Sequence, residues 1–175
     1  SAFFTTIHLH IPGKHNITNA LAAIAASAFL GAAPEDCVKG LHHYTGTERR
    51  FQLKGKKDGI TVIDDYAHHP TEIKAALAAA QNVQHNTTWC VFQPHTFSRF
   101  LFDEFGEAFG DADEIIIADI FAARETDDGT VSAAQLADRI AQTGKSARYV
   151  GDFAAIEAYL REHCKSGDLL MTVGA

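Results

Sequence analysis

From about residue 51 onward the chain alternates short apolar runs of strand character with longer amphipathic runs of helical character, and this alternation most constrains its fold. Strands are expected at residues 51–54, 60–64, 88–92, 114–118, 147–150 and 168–172, and helices at 71–83, 100–109, 132–143 and 153–163. The first two strands are joined by the short turn Lys56-Lys57-Asp58-Gly59, which predicts an antiparallel hairpin. The remainder reads strand, helix, strand, helix. The expected fold is therefore α/β, a mostly parallel sheet with helices on both faces.

The first 45 residues differ in character. Residues 3–10 alternate like a strand with one buried face, and Pro12-Gly13 breaks the pattern. An alanine-rich helix is expected at 14–30, with Gly31 beyond its end, and a second from Pro34 to about His43, with Glu35 and Asp36 at its positive end. The change near Thr45-Gly46-Thr47 divides a helical segment, residues 1–45, from an α/β segment, residues 46–175. The last apolar run stops at Gly174-Ala175, where a doubly wound fold would begin another helix. The chain is thus expected to be a piece of a longer protein, a complete small domain being the alternative.

Twenty-two acidic against 15 basic residues give a formal charge of -7, with no basic block. Nucleic acid and anionic membranes both require clustered Lys and Arg, so neither is an expected partner. The apolar run 20–30 is too short to span a bilayer. Cys37, Cys90 and Cys164 match neither a disulfide framework nor a zinc spacing, and are expected to be reduced thiols of a cytoplasmic protein.

Titratable side chains crowd three strand ends. Asp64-Asp65-Tyr66-Ala67-His68-His69-Pro70-Thr71-Glu72 follows the first parallel strand, where open α/β sheets bind ligands. Asp65 can accept hydrogen bonds from ribose hydroxyls; Tyr66 and His68 can line a polar pocket, and an imidazole exchanges protons near neutral pH. Against this, Asp64 or Asp65 can cap the following helix, and His69-Pro70 reads as a turn. Gln93-Pro94-His95-Thr96-Phe97-Ser98-Arg99 follows the next strand, and a guanidinium beside a helix start suits a carboxylate. The third strand end carries Asp119 and Arg124. Asn16 and Asn19, one turn apart, can offer donor and acceptor to a planar base, although Asn16 can equally cap its helix. Arg50 can reach a phosphate, whereas Arg49 reads as a solvated partner of Glu48. Phosphate-loop, dinucleotide, nucleophile-elbow and HExxH motifs are missing from the sequence.

At these residues the chain resembles the Mur ligase family, most specifically its alanine-adding members. The matching stretches are GKHNITNALAAIAA (13–26), GTERRFQ (46–52), DDYAHHPTEI (64–73), FQPHTFSR (92–99) and DIFAARE (119–125), in family order. The murein tripeptide recycling ligase shares the HHP stretch but not FQPH. The resemblance implies that residues 1–45 are the tail of a central ATPase domain and 46–175 most of a C-terminal Rossmann-like domain. It implies ATP, L-alanine and UDP-N-acetylmuramate as substrates, and an acyl phosphate attacked by the alanine amine. It gives His15, Asn16, Asn19, Arg50 and Asp65 to the nucleotide, and Tyr66, His68 and Arg99 to the amino acid, with His68 and Arg99 catalytic. Magnesium ligands are implied to lie outside this segment, which alone is expected to be inactive. Many members carry Arg where this chain has Thr96, which leaves Arg99 as the main carboxylate anchor. The rival to the ligase reading is a non-catalytic nucleotide-binding or interaction module.

Overall fold

The computed structural model describes residues 6–96, 101–127 and 129–174. The chain forms two compact units, Ser1–Glu48 and Arg49–Ala175.

In the first unit, α1 (Lys14–Phe29) packs on α2 (Pro34–His43). The Gly31 N–H donates to the Ala28 carbonyl and the Ala32 N–H to the Ser27 carbonyl, both at 3.0 Å. These two bonds close α1 with the paired 5→2 and 6→1 pattern that a left-handed residue after the helix permits, and Gly31 has φ 90°. Residues 6–10, expected as a strand, are irregular. A strand needs a ladder partner, and the described residues of this unit contain only helices and loops.

The second unit contains β1 (Gln52–Lys57), β2 (Ile60–Asp65), α3 (Pro70–Ala80), β3 (Thr88–Phe92), α4 (Phe102–Gly106), β4 (Glu114–Ala118), α5 (Ala133–Ala141), β5 (Ser146–Gly151), α6 (Phe153–His163) and β6 (Leu169–Val173). The six strands form one sheet in the order β1-β2-β6-β3-β4-β5. Only β1 is antiparallel to its neighbour. Asp58 and Gly59, with φ 53° and 85°, make the two-residue turn between β1 and β2, whose twist matches that of the flanking strands. The helix expected at 100–109 is observed only as the short α4; Phe100 lies outside the described residues.

Chain order decides which face each helix covers. From β2 the chain steps outward through β3, β4 and β5, then α6 carries it back so that β6 inserts between β2 and β3. Accordingly Ile73 and Leu77 of α3, Phe105 of α4 and Leu136 and Ile140 of α5 share one core with Ile63, Phe92, Ile115, Ile117 and Met171. Ile156 of α6 packs on the opposite face against Trp89, Val91, Ile116 and Ala118. With both faces covered, β4 reads as an unbroken Ile115-Ile116-Ile117 rather than an alternation. The α6 face is covered only in part. Beside the helix, Val62, Leu170 and Ile156 line an open groove of about 570 Å³, with Arg49 among its lining residues.

Candidate active site

The parallel pairing sets the carboxyl ends of β2, β6, β3 and β4 along one edge. Successive strand residues face opposite sides, so Asp64 and Asp65 at the end of β2 diverge. Asp64 accepts from the Thr172 hydroxyl of β6 at 2.7 Å and pairs with the Arg49 Nε at 3.1 Å. Asp65 is 8% exposed, and its two oxygens accept from the main-chain N–H of Phe51 at 2.7 Å and of Ala67 at 2.8 Å. Burial pushes its carboxyl above the usual value, against the two N–H bonds and the charge of Arg50, which favour ionisation. Asp65 therefore fastens the turn around Arg50, in which Arg49 and Phe51 take the left-handed φ of 54° and 50°.

Neither aspartate caps α3, as had been an open reading of the sequence. The cap is His69, whose Nδ1 accepts from the Thr71 N–H at 3.3 Å, and Pro70 occupies the first turn. Glu72 closes the box by accepting from the N–H of His69 at 3.3 Å and of His68 at 3.1 Å. Partial burial of Glu72 raises its pKa, but those two bonds and the charges of His68 and Arg50 outweigh it and hold the carboxyl below its usual value.

The residues ahead of that cap form the distinctive feature of the edge, a row of rings crossing three strand ends. Tyr66, 38% exposed, lies 5.5 Å from the His68 ring, His68 lies 6.4 Å from His95, and His95 lies 5.6 Å from Phe121. A single parallel bridge joins His95 to Phe121 beyond the strands. The Thr96 N–H donates to the Phe121 carbonyl at 2.8 Å and the Phe121 N–H to the Pro94 carbonyl at 2.9 Å. This bridge ties the β3 and β4 loops together and helps hold the far end of the row.

His68 Nδ1 lies 3.1 Å from the Tyr66 carbonyl and 3.5 Å from a Glu72 oxygen. Both neighbours are acceptors, so Nδ1 carries the proton, and in the neutral ring the basic lone pair sits on Nε2. Arg50 is exposed beside this row, close enough for its charge to act on both Asp65 and Glu72.

Of the residues singled out in the sequence, Arg50, Asp65, Tyr66 and His68 come together here. Arg99 lies outside the described residues. His15, Asn16 and Asn19 belong to the first unit, within the first two turns of α1. Gly13, not Asn16, is the N-cap; the Asn16 amide donates to the Pro12 carbonyl at 2.6 Å, and the Asn19 amide to the Asn16 oxygen at 3.3 Å. The sequence reading passed over two residues. Phe121, 51% exposed, ends the row, and its signal was a large apolar residue in a polar strand-end segment. Arg49 was assigned to solvent, yet it is tied to Asp64, and nothing adjacent in the sequence signals that. Among the described residues no group of three His, Cys, Asp or Glu side chains is placed to hold a metal ion, and no helix is long and apolar enough to cross a membrane.

A mostly parallel α/β domain with its polar side chains collected at the strand carboxyl ends is a Rossmann-like unit. The sequence profile described as "Mur ligase, glutamate ligase domain" matches residues 49–175, the whole second unit, and the chain belongs to the Mur ligase family. It is 50% identical over 172 residues to the UDP-N-acetylmuramate--L-alanine ligase of Clostridium novyi, covering 97% of this chain and 38% of that protein. The crystal structure of the UDP-N-acetylmuramate-alanine ligase from Thermotoga maritima superposes with a TM-score of 0.79 at 30% identity, covering 98% of this chain and 37% of that one. A murein peptide ligase from Psychrobacter arcticus shares the fold, with a TM-score of 0.72 at 24% identity over 96% of this chain and 35% of that one. The chain thus spans less than two-fifths of the length of these proteins.

Proposed function

We propose that this chain is the amino-acid-receiving part of an ATP-dependent ligase that joins L-alanine to UDP-N-acetylmuramate in the cytoplasm. Half of its residues match a protein bearing that name over nearly the whole chain. The observation that carries the site assignment is the row Tyr66–His68–His95–Phe121 along one strand edge.

In this reading ATP converts the sugar's lactyl carboxylate to an acyl phosphate. The alanine amine attacks the acyl carbon, and the tetrahedral intermediate expels phosphate. An amine attacks only when its nitrogen lone pair is free, so the ammonium must first lose a proton. His68 fits that task, because the Tyr66 carbonyl holds its Nδ1 proton and leaves Nε2 as the base. Tyr66 walls the amino acid and Arg99 takes its carboxylate. Arg50 contacts the nucleotide phosphates. Asp65 supports that arginine's turn, and a contact from Asp65 to ribose would share oxygens already bonded to Phe51 and Ala67. Asn16 and Asn19, with His15 beside them, contact adenine. Magnesium accompanies ATP, and among the described residues no group of three His, Cys, Asp or Glu side chains is placed to hold it.

The test is phosphate release in the full-length ligase carrying this chain, supplied with ATP, UDP-N-acetylmuramate and L-alanine. General-base catalysis contributes on the order of 10²–10⁴-fold, so His68→Ala should lower kcat by about 10²-fold or more. Arg99→Ala should raise KM for alanine. The 175-residue chain alone should not ligate. Wild-type kinetics in both variants would remove the assigned roles, and a preference for a tripeptide over alanine would favour a recycling ligase.

A further inference from the structure

Arg49 makes more of its surroundings than a surface residue does. Its Nε pairs with Asp64 at 3.1 Å, and its Nη2 donates to the Gly174 carbonyl, at the end of β6, at 2.7 Å. Its guanidinium carbon stands 4.8 Å from the centre of the Tyr66 ring, within range of a cation–π contact. Its own carbonyl accepts the Tyr66 N–H at 2.6 Å. Asp64 is in turn held by Thr172 at 2.7 Å. One residue thus grips Tyr66 by both main chain and ring, while its other nitrogens are locked to the ends of β2 and β6.

That geometry is specific to arginine. The planar fork directs Nε and Nη2 to two acceptors on neighbouring strands and still presents its π face to a ring. A lysine ammonium is a point charge and can satisfy Asp64 but not all three contacts. The side chain is 44% exposed, and its partner Asp64 16%, so the pair itself contributes little to stability. Such an arrangement does more to fix the position of Tyr66 than to hold the domain together.

We infer that Arg49 is a positioning residue for the incoming amino acid, acting through Tyr66, which it holds at the start of the ring row. The inference rests on the reading of Tyr66 as a wall of the amino-acid site. It requires no contact between Arg49 and substrate.

The experiment is a double-mutant cycle in the full-length ligase, with KM for L-alanine, KM for ATP, kcat and melting temperature measured on each variant. A cation–π contact at a partly exposed site is worth about 1 kcal/mol, so Arg49→Met should raise KM for alanine roughly fivefold, with kcat and KM for ATP nearly unchanged. Tyr66→Leu should raise the same KM, and adding Arg49→Met to it should change KM by less than about 1.5-fold, as expected for residues acting as one unit. Arg49→Lys should keep the wild-type melting temperature without restoring the KM. It also carries the test if Arg49→Met does not fold.

Multiplicative effects in the cycle would overturn the inference while leaving Tyr66 in its role. A uniform loss of kcat and both affinities in step with melting temperature would reduce Arg49 to scaffolding. Tyr66→Leu without effect on KM would sink the Tyr66 assignment and this inference together.

Discussion

Asp65→Asn is the substitution that most directly separates scaffold from ligand contact at the strand edge. The carboxylate accepts two main-chain N–H bonds, at 2.7 and 2.8 Å, and is almost wholly buried. Hydrogen bonds to a charged group contribute about 1.5–3 kcal/mol each, and neutral ones about 1 kcal/mol. Asparagine keeps one acceptor and turns an NH2 group against the other N–H donor. One bond is weakened and one replaced by a donor–donor clash. Relief of the cost of burying a charge, which raises the wild-type pKa, offsets part of this. The net loss is about 2 kcal/mol, or about 1 M in urea midpoint for an m-value near 2 kcal/mol/M.

Trp89, the single tryptophan, lies in the core of the second unit. Its fluorescence reports the unfolding of the unit that contains Asp65. Because the folded pKa of Asp65 is raised above 3.8, the ionised form is the one the fold penalises. Its titration-linked stability is fully present below the unfolded pKa and declines as pH rises through the folded one. The gap between wild type and Asp65→Asn should therefore widen as pH falls from neutral toward 4. A variant within about 0.5 kcal/mol of wild type at neutral pH would refute a scaffold role. If such a variant also lost affinity for ATP, the carboxylate would instead belong to the nucleotide.

Glu72→Gln should cost about 1 kcal/mol by weakening the α3 cap. Because the Glu72 pKa is lowered, this advantage is present above its ordinary 4.5 and lost as pH falls through the lowered value; a gap in melting temperature that persists unchanged in strong acid would contradict the assignment. Gly59→Ala places a Cβ 2.8 Å from the Ser166 Cβ at a φ of 85°, so urea melts should show a loss of about 1–3 kcal/mol; wild-type stability would disprove the strain. Burial pushes the Cys90 thiol up to about 12, so mass spectrometry after iodoacetamide at pH 8 should find it unmodified in the folded chain and modified in denaturant. Alkylation without denaturant would show that the core opens there.

The six strands and four helices of the second unit were legible because each depends on local periodicity and on breakers such as Asp58-Gly59. The hairpin, the parallel run and the clustering of Asp65, Tyr66 and His68 at one strand end follow from residues near each other in the chain. Residues 6–10, the described part of the strand expected at 3–10, are irregular for the complementary reason: alternation shows that a segment can pair, not that a partner exists. Likewise the cap of α3 went to His69 rather than to either aspartate, because Asp65 found two main-chain donors, one of them fourteen residues away.

By itself, then, the sequence determined the class of fold, the sheet edge at which the titratable residues gather, and the family. Only the tertiary structure decided which side chains face one another across that edge. Arg49 meets Asp64 fifteen residues away and Gly174 a further stretch on, 125 residues from itself. His68 follows β2 and His95 follows β3, and their rings come within 6.4 Å across the end of β6, the last strand made, which stands between those two strands. Strand propensity and helix periodicity are properties of a few consecutive residues, whereas these pairings depend on strand order and register, which the whole chain must fold to establish.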